Sequence, residues 1–384
     1  MSDASSPRPN TVLQLMGPAT GGIRQHVMTL VAQCAEQGWL SRVASPVGVI
    51  SEAEAQHLGV KLVEVGVPAA LNPRRLLAAS AELRRDLLAH PEVQIVHCHG
   101  LKAAWVAWIS RPSVPVMLTI HNLVLSSAGG ASTRLLRRLE QFIIARMDQV
   151  IAGSPQALDR CRGLVPPDKL RFILPVWPEP APDRSRHQVR AELDLGPGRP
   201  LVVCVARHHP QKRLDLLVAA WTDAFAARAT ADPESVPLLA IVGEGPETGP
   251  ISQCIAASSV GWSIRLLGRR EPATTYVAAA DCFILASDWE GVPFVVAEAI
   301  SLEVPVISTE VGMVPTFLEG SSLIVPVGDV AALSEAILRW ESDMERFQAE
   351  ARGYRQRLQR EFGRDVLTAE VVECYQQLAR RGQP

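Results

Sequence analysis

The chain has 384 residues and 47% hydrophobic content, which is enough to bury large cores, and its length predicts two domains. The formal net charge of −2 provides no overall field that would attract nucleic acid. Seven cysteines occur singly and without a C-x-x-C pair, so neither a disulfide framework nor a cysteine zinc site is indicated. No apolar run approaches the roughly 20 residues of a membrane span, and the N-terminus does not resemble a secretory signal. We therefore expect a cytoplasmic protein.

The first half alternates short runs rich in Val, Ile and Leu with longer segments of helical period. This pattern is typical of a parallel sheet with helices on both faces. The predicted strands are 12–16, 61–65, 93–97, 116–120, 149–152 and 170–174. A proline-rich stretch without a clear apolar period follows at 175–200 and indicates a domain boundary.

The alternation then begins again, which predicts a second doubly wound unit. Its predicted strands are 201–206, 238–242, 264–267, 282–285, 304–307 and 323–326, and the tail at 331–381 is predicted to be helical. In such units ligands bind at the carboxyl ends of the strands, so the residues after each strand are the candidates for function.

One candidate is the segment at 288–298, DWEGVPFVVAE, which follows a buried strand and is predicted to begin a helix at Pro293. The amides of Phe294 and Val295 would point out of the helix start and suit a phosphate. Glu290 lies in the loop, and Glu298 has the reach to accept hydrogen bonds from vicinal hydroxyls such as those of ribose. The alternative is an ordinary strand-to-helix loop with solvated carboxylates.

A second candidate is the basic loop after the first strand of the second unit. Arg207 can bind phosphate oxygens through two N–H groups, and Lys212 can supply a point charge to the same anion. The alternative is a basic loop screened by water. The adjacent His208 and His209 project differently and have no carboxylate nearby, so no metal site is predicted there.

The glycine-rich turn at 243–249 superficially resembles a dinucleotide fingerprint. Its spacing is G-x-G-x-x-x-G with a proline inside, and it lies far from the first strand of its unit, so a dehydrogenase is not favoured.

In the first half, the glycine-rich stretch at 17–22 follows the first strand and enters a helix that contains His26. Glycine lets backbone approach a ligand closely, although a plain turn before a helix has the same pattern. Two further strand ends carry His97, His99 and His121. The first two are also compatible with packing in the core. His121 is the preferred active-site residue, because an imidazole there can donate to a sugar hydroxyl or share developing positive charge.

The helix predicted at 134–146 combines an apolar stripe with a basic face. Such a helix suits peripheral contact with an anionic membrane surface, which would place the protein on the inner face of the membrane. The alternative is a half-buried helix whose arginines face water.

Together these segments resemble glycosyltransferase family 4, a family of retaining enzymes, over nearly the whole chain. The most specific element runs from Glu290 to Glu298 and is similar to the family's E-x7-E motif with its inner G-x-P. Arg207 and Lys212 match the family's arginine and lysine on the donor diphosphate. Its N-terminal glycine loop and a recurrent V-G-E-G-P turn are matched at 21–26 and 242–246.

The resemblance implies the α/β GT-B fold, with two Rossmann-like doubly wound domains that face a central cleft. The acceptor-side domain would span 1–178 and the nucleotide-sugar domain 179–364. The helix at 365–384 would cross back to the first domain.

The resemblance also implies roles for individual residues. Glu298 would bind ribose, Glu290 would bind sugar hydroxyls near C3 and C4, and backbone near Arg269 would receive the base. His121 would face the sugar. The implied catalytic residues are His121, Glu290, Arg207 and Lys212, and the implied donor-binding residues are Gly22, Arg207, Lys212, Gly243, Arg269, Glu290, Phe294, Val295 and Glu298. No metal ligand is implied.

Some positions depart from the family pattern. Asn122 stands where aspartate is common, Ala206 and Arg213 stand where glycine is frequent, and Met313 follows Gly312 where the family usually has a second glycine. These departures leave the sugar and the detailed contacts open but do not involve the diphosphate residues.

The implied activity is metal-independent, retaining transfer of a hexose-type sugar to a hydroxyl of a glycan, a lipid-linked acceptor or a small molecule, as in polysaccharide biosynthesis. The only cofactor-like molecule expected is the nucleotide-diphosphate donor, and UDP is assumed because it is the commonest nucleotide in the family. The alternatives are a GT-B sugar-nucleotide epimerase and a non-catalytic GT-B partner subunit.

Overall fold

The computed structural model describes residues 10–19, 21–121, 131–196 and 198–381, without the side chains of 131–133. The expectation at Asn122 lies outside these residues. The chain divides into two compact units. The first comprises Met1–Pro178 with Gly363–Pro384, and the second comprises Glu179–Phe362.

The first unit contains a seven-stranded sheet in which every described pairing is parallel. Its strands are β1 (Asn10–Met16), β2 (Trp39–Ser45), β3 (Lys61–Glu64), β4 (Ile95–His99), β5 (Val116–Ile120), β6 (Gln149–Ala152) and β7 (Leu170–Phe172), in the order β3-β2-β1-β4-β5-β6-β7. The helices between them are α1 (Gly22–Glu36), α2 (Glu52–His57), α3 (Pro73–Ala89), α4 (Leu101–Ser110), α5 (Ala131–Ile144) and α6 (Pro155–Cys161). The alternation of strands and helices forms the predicted doubly wound unit.

The second unit contains a six-stranded parallel sheet. Its strands are β8 (Leu201–Val205), β9 (Leu238–Val242), β10 (Ile264–Gly268), β11 (Cys282–Leu285), β12 (Val306–Thr309) and β13 (Ile324–Val325), in the order β10-β9-β8-β11-β12-β13. Its helices are α7 (Arg186–Glu192), α8 (Leu214–Ala231), α9 (Thr248–Ala257), α10 (Thr274–Ala279), α11 (Phe294–Ser301), α12 (Val314–Phe317), α13 (Val330–Ser342) and α14 (Met344–Phe362). The last helix of the chain, α15 (Arg364–Arg381), belongs to the first unit.

Apolar runs form these strands because helices cover both faces of each sheet. All five residues of β9 are buried, which matches its uninterrupted LLAIV sequence. On α8, Trp221 and Phe225 are fully buried and meet edge to face, and the indole N–H of Trp221 donates to Ser263 Oγ at 3.0 Å.

Sequence patterns missed two elements. Strand β2 was not predicted, because Ser41 and Arg42 interrupt its apolar run. Arg42 is nevertheless buried, because its guanidinium binds the carboxylate of Asp86 at 2.7 Å, 44 residues away. Helix α7 lies in the stretch that was interpreted as a domain boundary without a clear apolar period. A reciprocal capping box between Ser185 and Gln188 stabilises its first turn. The bounds of β4 and β12 also lie two residues later than predicted.

No helix in the described part of the chain is long and apolar enough to cross a membrane. Helix α5 changes character along its length. Leu135 and Leu136 are exposed beside the exposed Arg134 and Arg138, whereas Ile143 is fully buried. Only the C-terminal part of the predicted apolar stripe is therefore covered by the unit.

Candidate active site

In the second unit, hydrogen bonds join the loops after β8, β11 and β12. The amide of Asp288 donates to the Gln211 carbonyl at 2.8 Å, and Gln211 Nε2 donates to the Trp289 carbonyl at 2.7 Å. The amide of Met313 donates to the Gly291 carbonyl at 3.1 Å. The segments singled out from the sequence at 205–213 and 288–298 therefore form one surface.

Lys212 and Glu290 form an ion pair on this surface. Their side chains are 17% and 10% exposed, and Ser287 Oγ donates to Glu290 Oε1 at 2.7 Å. Ser287, the second partner of the Glu290 carboxylate, was not predicted, because no sequence motif marks this serine. The pair holds Glu290 in one orientation beside the loop that contains Arg207.

Arg207 and Arg213 differ in what they bind. Arg213 adopts a left-handed backbone with φ 46°, which explains why glycine suits this position, and it pairs with Asp288 at 3.0 Å and Asp215 at 3.2 Å. Arg207 is exposed at the end of β8 and has no side-chain partner among the described residues. Of the three cations in this loop, Arg207 is the one left available to an external anion.

Helix α11 begins at Phe294, with Pro293 in extended conformation just before it, one residue later than predicted. No side chain from the described residues caps this start, and no acidic residue lies in its first turn. A helix start with these properties favours an anion through its first amides and its dipole. Phe294 and Val295 therefore lie at a helix N-terminus, as predicted.

Glu298 lies further along α11 and is only 8% exposed. Burial raises the pKa of its carboxyl group to about 7. The sequence did not predict this shift. A carboxyl group with this pKa is partly protonated at neutral pH.

The turn after β9 approaches the loop after β8 so closely that only glycine fits. A Cβ on Gly243, whose φ is 141°, would lie 2.0 Å from the Ala206 carbonyl oxygen, and one on Gly245 would lie 2.3 Å from the His208 carbonyl oxygen. The buried His208 completes the contact, since its Nδ1 lies 2.7 Å from Thr248 Oγ1. These glycines hold Arg207 in place through backbone packing.

Replacing Gly245 with alanine is expected to destabilise the protein by about 3 kcal/mol, because the added methyl group meets rigid backbone. Gly249→Ala is the matched control. A Cβ there meets nothing within 4 Å, and alanine is the better helix former, so its free energy of unfolding should be unchanged or higher by up to about 1 kcal/mol. Urea unfolding of both variants measures the difference, and equal midpoints would contradict the packing argument.

Three further positions follow β12 and β10, at the carboxyl edge of the same sheet. Gly312 has φ 52°, and a Cβ on it would lie 2.2 Å from the Gly291 carbonyl oxygen, so this glycine is required by the contact between the loops. Met313, which stands where the family usually has a second glycine, is buried. Arg269 follows β10 and directs its exposed side chain to Glu271, with Nε 3.0 Å from the carboxylate.

In the first unit, His99 ends β4 and His121 directly follows the adjacent strand β5, as predicted. His97 lies inside β4, because that strand ends two residues later than predicted. His26 lies on α1, which begins at Gly22 after a Gly21 with φ 75°. His99 Nδ1 lies 3.2 Å from His121 Nε2. His97 contacts Thr119 Oγ1 through Nε2 at 2.7 Å. His97 and His99, for which the sequence left both a functional role and core packing open, are both buried.

Hydrogen bonds to carbonyl oxygens fix the tautomers of two rings, because such oxygens only accept and the ring nitrogen must therefore carry the proton. His26 Nδ1 lies 3.1 Å from the Val176 carbonyl, and His99 Nε2 lies 2.8 Å from Gln14 Oε1, so both nitrogens carry protons. Burial lowers the pKa of His26 to about 4 and that of His99 well below its usual value. Both rings are therefore neutral at pH 7, with lone pairs on His26 Nε2 and His99 Nδ1.

The C-terminal helix supports this arrangement. Tyr375 on α15 is fully buried, accepts from Gln14 Nε2 at 3.0 Å, and lies 2.7 Å from His97 Nδ1 through its hydroxyl. Sequence reasoning did not single out Tyr375 or Gln14, since 361 residues separate them.

Two family models match consecutive parts of the chain. The "Glycosyl transferase 4-like domain" matches residues 21–177, and "Glycosyl transferases group 1" matches residues 199–343. The chain is 28% identical over 352 residues to D-inositol 3-phosphate glycosyltransferase of Nocardia farcinica, covering 83% of this chain and 76% of the relative. It is 22% identical over 311 residues to N-acetyl-alpha-D-glucosaminyl L-malate synthase of Bacillus anthracis, covering 79% of each.

Solved structures share the fold. Anabaena HepE in complex with UDP superposes with a TM-score of 0.77 at 16% identity, covering 96% of this chain and all of HepE. Sucrose-phosphate synthase from Thermosynechococcus elongatus gives 0.76 at 20% identity, with 97% and 100% covered. Both resemble the chain in its two parallel-sheet units. The chain therefore belongs to glycosyltransferase family 4 and is a glycosyltransferase with the GT-B fold.

Proposed function

We propose that the protein transfers a hexose-type sugar, with retention, from a UDP-sugar to an acceptor hydroxyl. The observation that carries this proposal is the convergence of Arg207, the Lys212–Glu290 pair and the start of α11 on one surface of the second unit. Such a surface combines groups for an anion with a carboxylate for hydroxyls.

The donor diphosphate would bind the amides of Phe294 and Val295, the Arg207 guanidinium and the Lys212 ammonium. Negative charge grows on the diphosphate as the sugar leaves, so fixed cations and a helix dipole stabilise the transition state more than the ground state. This set supports transfer without a metal ion.

The rest of the donor would be read by neighbouring strand ends. Glu298 would accept from the ribose hydroxyls, and backbone at Arg269 would receive the base. Glu290 would orient the sugar hydroxyls, since Lys212 and Ser287 already fix its carboxylate. Gly243 and Gly22 would let backbone approach the donor closely.

Retention would follow from attack on the same face of the sugar, with the donor phosphate accepting the acceptor's proton. No residue of the surface just described is placed as an attacking nucleophile, and Glu290 is an orienting group in this scheme. His121 would donate to the sugar or share its developing positive charge.

UDP is the proposed nucleotide because solved relatives of the same fold contain it: Anabaena HepE was solved with UDP and with UDP-glucose. The names of two relatives contain D-inositol 3-phosphate and L-malate. The acceptor class here is a glycan, a lipid-linked glycan or a small molecule. Exposed Leu135 and Leu136 beside exposed arginines support peripheral contact of α5 with an anionic membrane.

The proposal is tested by incubating the full chain with UDP-glucose, UDP-N-acetylglucosamine and GDP-mannose, each with a panel of acceptor alcohols and glycans. Proton NMR of the product reads the anomeric configuration. A product with the donor's anomeric configuration supports the proposal, whereas inversion contradicts it. A control reaction contains the donor and no acceptor. Interconversion of donor sugars in this control would identify an epimerase instead of a transferase.

The raised pKa of Glu298 predicts pH-dependent donor binding. Hydroxyl donors favour the carboxylate, so the Kd for UDP should rise as pH falls below 7, approaching tenfold per unit. Glu298→Gln should bind UDP more weakly at pH 8 and keep only the pH dependence that comes from the terminal phosphate of UDP, whose second pKa is about 6. Calorimetric titration between pH 5.5 and 8.5 measures both, and wild-type and variant profiles of the same shape would exclude Glu298 from the ribose site.

The raised pKa of Glu298 also makes the stability of the folded protein depend on pH, and here the favourable range is low pH. The folded-state pKa lies above the usual 4.5, so this contribution to stability is complete below 4.5 and is lost as pH rises through 7. Glu298→Gln should therefore gain about 3 kcal/mol relative to wild type between pH 4.5 and pH 8.

A further inference from the structure

We propose that His26, His99 and His121 form a binding site for a borderline transition-metal ion such as Zn²⁺, and that occupation of this site inhibits sugar transfer. The metal-binding part stands on the first unit alone. The inhibitory part rests on the proposed function.

The three rings each bring a nitrogen close to the other two. The three ligand atoms lie within 4.8 Å of one another, and His99 Nδ1 and His121 Nε2 are already 3.2 Å apart. Two imidazole nitrogens bound to one tetrahedral zinc at about 2.0 Å are separated by roughly this distance. His26 comes from α1, His99 ends β4 and His121 directly follows β5, so three separate elements hold the ligands.

The far sides of two rings have the partners that metal-ligating histidines use. His26 donates through Nδ1 to the Val176 carbonyl, and His99 donates through Nε2 to Gln14 Oε1. Such bonds fix the tautomer and raise the basicity of the nitrogen that binds the metal. Gln14 is held in turn by Tyr375. Of the two nitrogens left with lone pairs, His99 Nδ1 contacts His121 Nε2 at 3.2 Å.

The lone pair of His26 Nε2 is a second, independent observation. This atom is completely buried and has no hydrogen-bond partner within the described part of the chain. Buried polar atoms in native proteins are nearly always paired. A metal ion bound to His99 and His121 would give His26 Nε2 a partner after a small approach of the ring.

Three imidazoles select for Zn²⁺, Co²⁺, Ni²⁺ or Cu²⁺ over Mg²⁺ and Ca²⁺, which prefer oxygen ligands. His121 is partly exposed, so solvent can supply a fourth ligand. His121 Nε2 donates its proton to His99 in the metal-free arrangement. On metal binding that proton moves to Nδ1 of the same ring, which leaves Nε2 free to coordinate.

Inhibition follows from charge. A bound dication beside His121 would oppose the positive charge that develops on the sugar during transfer. Zinc would then act as a reversible inhibitor and not as a participant in the reaction.

The test is titration of the untagged full chain with Co²⁺, followed by visible absorption and calorimetry. We expect one Co²⁺ per chain with the absorption of a low-coordinate nitrogen site, displaced by Zn²⁺. His26→Leu and His121→Asn should each lower Co²⁺ affinity by about 100-fold, and Gln14→Leu should lower it by roughly 10- to 100-fold through loss of the outer hydrogen bond. His187→Ala removes an exposed histidine elsewhere and serves as the control.

Thermal melts establish that each variant is folded, and His121→Asn changes the most exposed of the three side chains. No bound Co²⁺ in wild type, or equal affinity in wild type and in both folded ligand variants, would overturn the site. With transfer activity established, Zn²⁺ should inhibit wild type and spare His26→Leu, and equal inhibition of both would overturn the inhibitory role. Absence of any transfer activity would count against the proposed function and would leave the Co²⁺ result intact.

Discussion

Arg207→Ala is expected to lower kcat/KM for the sugar donor by about 100- to 1000-fold, the effect typical of losing one preorganised group that stabilises transition-state charge. Arg207 is exposed, and no side chain in the described residues binds it, so its removal leaves no buried partner unsatisfied. The free energy of unfolding should therefore stay within about 0.5 kcal/mol of wild type.

Steady-state kinetics and urea unfolding measure the two effects side by side. Arg346→Ala is the matched control, because it removes an exposed arginine of the same unit whose guanidinium pairs with Glu350 and lies over the Phe347 ring on its own helix. Its kcat/KM should equal that of wild type. A similar kcat/KM for Arg207→Ala would remove this residue from the donor site.

Glu290→Gln should separate sugar orientation from nucleotide binding. The carboxylate would make charge-assisted hydrogen bonds to sugar hydroxyls, and losing them should lower kcat by about 100-fold. The Kd for UDP, which has no sugar, should stay constant or fall, because Lys212 loses its present partner and becomes available to the diphosphate.

Calorimetry with UDP and initial-rate measurements with the UDP-sugar give the two quantities. Ser287→Ala removes only the neutral donor to Glu290 and should reduce kcat by a smaller factor, about 5- to 10-fold. A Glu290→Gln variant with unchanged kcat and weaker UDP binding would assign Glu290 to the nucleotide end.

Much of the fold could be predicted from the sequence because its parallel strands are covered on both faces. Strands such as Val116–Ile120 and Gln149–Ala152 are fully buried and mostly apolar, and their bounds were predicted correctly. Strand β2 was not predicted because Arg42 interrupts its apolar pattern. This residue is buried through its bond to Asp86. A contact between residues 44 positions apart cannot be predicted from a local sequence pattern.

The candidate site divides in the same way. Strand ends and a helix start are local features, so the positions of Arg207, Lys212 and Phe294 could be predicted from spacing. The Lys212–Glu290 pair joins two loops 78 residues apart, and the network from Tyr375 to Gln14 joins the two ends of the chain. The raised pKa of Glu298 depends on packing around α11, which sequence alone does not specify.

Thermal unfolding with UDP, GDP and ADP, run in parallel on wild type and Arg207→Ala, tests most directly whether the second unit binds a nucleotide diphosphate. Ligand that binds only the folded state at about 100 times its Kd adds about 2.7 kcal/mol of stability. We expect UDP to raise the Tm of wild type and to leave Arg207→Ala nearly unchanged. No shift of wild type with any of the three nucleotides, at concentrations up to the millimolar range, would contradict the donor site and favour the non-catalytic partner.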